Sequence, residues 1–202
     1  KLFSIILWGP PGSGKTTLAR ILINHSGYEL FQISAISSGI KDLREIIDKS
    51  KVNKSMGKNS VLFIDEIHRF NKTQQDSLLN AVENGTLVLI GATTENPSFE
   101  IISPLLSRAR VLRLNSLDID DMNTIIDKAL NYDIVLSKKS YNLPEESRKF
   151  LITQSGGDAR KLLNTLEIAT NMMKDSEEIS TDVLEESMQN KSLLYDKDGD
   201  YH

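Results

Sequence analysis

Up to about Leu117, the apolar positions fall into short runs separated by helix-compatible segments. Ile5-Ile6-Leu7-Trp8, Tyr28 to Ile33, Val61 to Ile64 and Thr86 to Ile90 each read as a strand. Tyr28 to Ile33 does so by its aromatic and β-branched residues, while the continuous apolar run Val61 to Ile64, and Thr86 to Ile90 after it, suit parallel strands covered on both faces. Between them, Thr17 to Ile23 suits a helix, and Leu43, Ile46 and Ile47 recur at helical spacing behind Ser38, a candidate N-cap. Gln74 to Asn84 reads as a further helix closed by Gly85, and Asn53 to Asn59 as a loop. Strands alternating with helices predict an α/β fold, a doubly wound parallel sheet built from right-handed crossovers.

Beyond Leu117 the strand-like runs stop. Asp118 to Leu130, Pro144 to Gln154, Asp158 to Met173 and Thr181 to Met188 carry helical patterns, with Gly156-Gly157 breaking the chain between two of them. The chain therefore divides into an α/β domain over 1–116, a small all-α domain over 117–190 and a polar connection over 191–202.

Composition narrows the class without naming a chemistry. The 202 residues are 39% hydrophobic and 26% charged, as in a globular protein, and no apolar run approaches the roughly 20 residues that span a bilayer. Absence of cysteine excludes disulfides and thiolate metal sites. The net charge of −4 means that a nucleic acid would have to be met by a local basic face.

The chemistry begins between the first strand and its helix, at Gly9-Pro10-Pro11-Gly12-Ser13-Gly14-Lys15-Thr16. Glycines let successive N–H groups point inward at phosphate oxygens, and the helix that follows adds the partial positive charge of its N-terminus. Lys15 is placed to reach the β- and γ-phosphates of a nucleoside triphosphate, Thr16 to ligate Mg²⁺ with its hydroxyl, and Thr17 to continue the helix.

Asp65-Glu66 closes the strand Val61 to Ile64, at the carboxyl end where open α/β sheets bind ligands. Asp65 is the candidate Mg²⁺ ligand, and Glu66 the group that polarises the attacking water. Asp65-Glu66-Ile67-His68 also matches a helicase box, but the helical second half leaves no room for a second helicase domain. Asn71-Lys72-Thr73-Gln74 lacks the aspartate of a guanine-specific motif. His68 reads as a polar residue gripping the loop after the strand, since no second histidine lies at ligand spacing. Thr94, after the fourth strand, either bonds the γ-phosphate or attacking water, or closes a turn with Asn96. Arg108, in Ser107-Arg108-Ala109-Arg110, and Arg160, opening a helix of the second domain, stand in an order behind these motifs that is seldom accidental.

Taken together, the chain resembles an AAA+ ATPase module of the RarA, MgsA and Werner-helicase-interacting-protein group, relatives of the clamp loaders. The resemblance is carried by Trp8 to Gly12, Phe63 to Lys72, Gly91 to Phe99, Leu106 to Arg110 and the closing Tyr195-Asp196-Lys197-Asp198-Gly199-Asp200. It implies that the sheet is the AAA+ P-loop sheet and the helical domain its lid. ATP or ADP with Mg²⁺ is the implied ligand, Thr94 sensor 1, Arg108 an arginine finger offered to a neighbouring subunit, and Arg160 sensor 2. It also implies a DNA-stimulated ATPase of replication-fork maintenance, recombination and repair, acting on single-stranded gaps, ends or forks. The implied partners are single-strand-binding protein in a bacterium and further copies of the chain, with no membrane. Its place would be the nucleoid of a bacterial cytoplasm, or a eukaryotic nucleus.

The group's adenine-framing segment and C-terminal oligomerisation domain lie outside the sequence, so 191–202 reads as the link to that domain and the chain alone as a monomer. Alternatives are a clamp-loader or Holliday-junction branch-migration subunit, and a small-molecule P-loop kinase, which needs neither Glu66 nor an arginine-bearing lid. DNA is expected on the helix after Ser38, where Lys41 and Arg44 share a face opposite Leu43 and Ile46.

Overall fold

A computed structural model describes residues 2–134, 136–138, 140–173 and 178–198. They form two compact units, Lys1–Asn115 and Ser116–His202.

The first unit is a five-stranded parallel sheet of β1 (Ile5–Trp8), β2 (Glu29–Ser34), β3 (Ser60–Asp65), β4 (Val88–Thr93) and β5 (Arg110–Arg113), in the order β2-β3-β4-β1-β5. Alternate residues feed two cores, because successive side chains of a strand point to opposite faces. Ile5, Leu7, Val61, Phe63, Ile90 and Ala92 pack with Ala19 and Ile23 of helix α1 (Lys15–Asn24). Ile6, Leu62, Ile64 and Leu89 pack with Leu43 and Ile46 of α2 (Ile40–Ser55), and with Leu78 of α3 (Lys72–Glu83). Two short turns of helix, α4 (Pro97–Glu100) and α5 (Ser103–Leu106), lead into β5. The doubly wound sheet expected from the hydrophobic pattern is present.

Several boundaries differ from expectation, among them that β4 spans Val88–Thr93 and not Thr86 to Ile90. Helix α2 starts one residue later than a Ser38 cap requires, because Gly39 is the N-cap and donates its N–H to Asp42 Oδ2 at 2.7 Å. It also runs to Ser55, into the stretch expected to be loop. Helix α3 starts at Lys72 because Asn71 and Gln74 form a reciprocal cap, with side-chain bonds of 2.9 and 3.0 Å to each other's backbone N–H.

The second unit is helical: α6 (Ile119–Tyr132), α7 (Glu145–Ser155), α8 (Ala159–Met172) and α9 (Thr181–Asp198). Met122, Ile126 and Ala129 line one face of α6 and share a core with Leu151, Leu162, Leu166, Ala169 and Leu184. Asp118 caps α6 by accepting the Asp121 N–H at 2.8 Å. The stretch read as a polar connection from 191 continues α9 as far as Asp198, and 199–202 lie outside the described residues. No helix among the described residues is long and apolar enough to cross a membrane.

Candidate nucleotide site

Strand order brings the motif residues to one end of the sheet. β4 lies between β1 and β3 and all three are parallel. The loop after β1, the Thr93-Thr94 end of β4 and the Asp65-Glu66 end of β3 therefore stand side by side. β1 and β3 are two strand spacings apart, about 10 Å, a span that a polyphosphate fits.

Gly9 opens the loop with φ 155°, and a Cβ on it would meet the Leu114 carbonyl oxygen at 2.2 Å, so no other residue fits there. The loop then closes over its own lysine. Lys15 is 8% exposed and donates from Nζ to the carbonyls of Gly9 and Pro10 at 2.8 Å each. Pro10 and Gly12 are half-buried, while Pro11 and Gly14 face solvent. Ser13 is 7% exposed and keeps its Oγ buried without a hydrogen-bond partner. An orphaned buried hydroxyl is costly, and a phosphate oxygen would satisfy it. Gly14 N-caps α1 in the left-handed conformation, so the helix N-terminus and its N–H groups follow the loop directly. Thr16 is half-buried and Thr17 exposed on the first turn.

Asp65 ends β3 half-buried, and its Oδ1 accepts the Glu66 N–H at 3.2 Å. Glu66 adopts φ 53°, ψ 43°, and is the non-glycine residue with positive φ among those described. Such a backbone costs on the order of 1–3 kcal/mol and persists only where the surroundings determine it. Here they do. Arg69 N–H donates to the Glu66 carbonyl at 2.9 Å, and Ile67 is wholly buried. Beneath it, a Cβ on Gly91 would lie 2.9 Å from Ile6 Cδ1 and 3.0 Å from Ile67 Cδ1. A bare glycine in β4 thus lets the turn after β3 settle onto the sheet.

Thr16 and Asp65 offer a hydroxyl and a carboxylate, hard oxygen donors of the kind Mg²⁺ takes. Among the described residues no cluster of three His, Asp or Glu forms a closed metal cage. That donor set fits Mg²⁺ in nucleotide sites, where one or two protein oxygens suffice beside phosphate and water.

Thr94 is half-buried just past the end of β4. Its neighbour Thr93, not singled out from the sequence, is wholly buried and far more engaged. The Thr93 carbonyl accepts the Gly9 N–H at 3.3 Å, and its Oγ1 lies 2.9 Å from His68 Nδ1. Its place beside the loop is set by its register with Trp8 in the folded sheet, which the sequence alone does not show. His68 grips the loop as expected, and does so through Thr93 and Glu66.

Arg108 belongs to the first unit and Arg160 to the second. Arg108 donates from Nη2 to Glu83 Oε1 at 2.6 Å and from Nη1 to the Pro104 carbonyl at 2.8 Å. Arg160 is exposed in the first turn of α8, behind an Asp158 cap that accepts the Arg160 and Lys161 N–H groups.

A glycine-rich phosphate loop, an acidic strand end beside it and parallel strands on both sides define a P-loop nucleotide-binding domain. Residues 5–117 match the ATPase family associated with various cellular activities (AAA), and residues 137–202 match the AAA C-terminal domain. The chain belongs to the AAA ATPase family. It is 43% identical to replication-associated recombination protein A of Escherichia coli K12 over 98% of its length, and 41% identical to ATPase WRNIP1 of Dictyostelium discoideum over 99%. It spans 46% of the first of these relatives and 25% of the second. Among solved structures it is similar to the Holliday junction branch migration motor RuvB of Thermotoga maritima. That likeness has a TM-score of 0.74 at 28% identity, and covers 93% of this chain and 61% of RuvB.

Proposed function

We propose that the chain is the catalytic core of a Mg²⁺-dependent, DNA-stimulated ATPase of the replication-associated recombination protein A and WRNIP1 kind, acting in replication-associated recombination and repair. The observation that carries this reading is the meeting of three motif-bearing strand ends, β1, β4 and β3, at one end of the sheet. The relatives that match nearly the whole chain supply the process.

In this reading the loop N–H groups, the α1 N-terminus and Lys15 bind the polyphosphate, with the Lys15 ammonium exchanging loop carbonyls for phosphate oxygens. Thr16 and Asp65 hold Mg²⁺, which neutralises charge on the β- and γ-phosphates when bound. Glu66 accepts a proton from water as its oxygen bonds to the γ-phosphorus and the bridging P–O bond to ADP breaks. Thr94 orients the water or the γ-phosphate as sensor 1, Arg108 serves a neighbouring subunit's nucleotide, and Arg160 is sensor 2. Homo-oligomers, DNA gaps, ends or forks, and in a bacterium single-strand-binding protein are the proposed partners. The structural likeness to RuvB favours a second reading, a branch-migration subunit at Holliday junctions.

Phosphate release by the full-length protein, measured with and without single-stranded, forked, four-way and blunt DNA, tests these readings. Release from ATP alone and acceleration by forked or single-stranded DNA are expected. Acceleration by four-way junctions alone would favour the second reading, and a requirement for an acceptor metabolite would mark a kinase. Glu66→Gln should keep nucleotide affinity while slowing hydrolysis by roughly 10²-fold or more. Normal turnover would reduce Glu66 to a strand-end carboxylate.

A further inference from the structure

Glu66 does not stand alone at the end of β3. His68 Nδ1 lies 3.2 Å from Glu66 Oε2 and 2.9 Å from Thr93 Oγ1, so a single ring nitrogen bridges the carboxyl ends of β3 and β4. The ring is only 14% exposed, and Thr93 is fully buried. From Thr93 the path continues, since its carbonyl takes the N–H of Gly9, the first residue of the phosphate loop. The polar chain Glu66, His68, Thr93, Gly9 thus joins the water-polarising carboxylate to the nucleotide cradle through groups with little room to move.

The chemistry of the partners assigns the ring proton. A carboxylate oxygen only accepts, so a lone pair on Nδ1 would face a second acceptor across 3.2 Å. An assignment of the hydrogen to Nδ1, made from the network, directs it at Thr93 Oγ1 at 2.9 Å, with Glu66 Oε2 at ion-pair distance, 3.2 Å, from the same nitrogen. Thr93 completes it: Oγ1 accepts the Glu95 N–H at 3.0 Å and turns its own proton toward the Glu95 carbonyl at 3.4 Å. The backbone keeps the ring in place, because buried Ile67 and Phe70 flank it and Gly91 lets Ile67 seat on β4.

We infer that His68 is a positioning residue for hydrolysis, whose Nδ1 side holds the Glu66 carboxylate next to the carboxyl end of β4 and the phosphate loop. The inference rests on the reading of Glu66 as the base that polarises water. His68 touches no substrate in this arrangement and acts through Glu66 alone. Its loss should be felt in turnover and not in nucleotide binding, because the loop, Lys15 and Thr16 are untouched. Asparagine carries an N–H at nearly the place of Nδ1 and should restore much of the effect. Alanine leaves the carboxylate unheld.

The test uses the full-length protein, with ATP affinity by calorimetry and steady-state phosphate release. His68→Ala should lower kcat roughly 10- to 100-fold, the range set by a misplaced catalytic group, with KM and ATP affinity within about twofold. His68→Asn should recover most of the rate. In a Glu66→Gln background, His68→Ala should cost nothing further, since the group it positions is already disabled. Normal turnover by His68→Ala, an added loss in the Glu66→Gln background, or an Asn variant no better than Ala would overturn the inference. An alanine variant that loses ATP binding together with activity would do the same, marking His68 as a structural prop. Normal turnover by Glu66→Gln alone would sink the reading of the base, a different result from a dead Glu66→Gln beside a normal His68→Ala.

Discussion

At the scale of single residues, the lysine of the candidate site is already engaged by its own loop. The Lys15 ammonium sits between two carbonyls of its own loop, 8% exposed. A buried ammonium must be paired, and those carbonyls hold it where phosphate oxygens would replace them. Lys15→Ala should remove measurable ATP binding, because the loop loses its point charge toward the β- and γ-phosphates while its N–H groups remain. Isothermal calorimetry with ATP and Mg²⁺ checks this, and an unchanged affinity would refute the loop assignment. Residue types and spacing made Lys15, Thr16, Asp65 and Glu66 legible in the sequence, since each sits in a contiguous motif. Thr93 and Glu83 were not legible. Their partners His68 and Arg108 each lie 25 residues away in the chain, and only the folded sheet brings them together.

At the scale of elements, hydrophobic periodicity located β1, β3 and β4, which are largely buried and read as apolar runs, and the longer helices, while β2, an exposed edge strand, was legible from its aromatic and β-branched residues. Periodicity did not reveal β5, whose Val111 and Leu112 stand between arginines on the open edge of the sheet. There Arg110 and Arg113 lie over the rings of Phe3 and Trp8, 4.4 and 5.1 Å from the centroids, so the two cations pack back toward β1. Boundaries slipped where a cap decided them, as Gly39 with Asp42 did for α2. The face of α2 came out as its spacing predicted, with Leu43 and Ile46 buried and Lys41 and Arg44 exposed. That exposed pair is the proposed DNA-binding surface. Changing both to alanine in the full-length protein should weaken binding similarly for all sequences. It should also flatten the salt dependence by about one unit of slope for each phosphate that is no longer neutralised. Titrations with labelled single-stranded DNA at several salt concentrations read both effects, and an unaltered slope would move the DNA site elsewhere.

At the scale of the whole molecule, the question is what Arg108 serves. Its guanidinium is paired within its own subunit to Glu83, and the two side chains are 33% and 47% exposed. Exposed pairs of this kind contribute roughly 0.2–1 kcal/mol, so the arginine can leave Glu83 for a phosphate at little cost. A finger supplied by a partner stabilises charge on the transferring phosphoryl group and contributes roughly 10³-fold or more to turnover. If Arg108 acts in this way, Arg108→Ala in the full-length protein should leave ATP affinity intact and reduce turnover by that order. Mixing separates a shared site from a local one. Subunits carrying Arg108→Ala keep intact Lys15, and subunits carrying Lys15→Ala keep intact Arg108, so neither oligomer turns over ATP well alone. Combined, each supplies what the other lacks, and phosphate release should rise with the fraction of mixed interfaces, peaking near equal proportions. No recovery at any proportion, with mixing verified by subunit exchange of labelled chains, would show that Arg108 does not act across a subunit boundary.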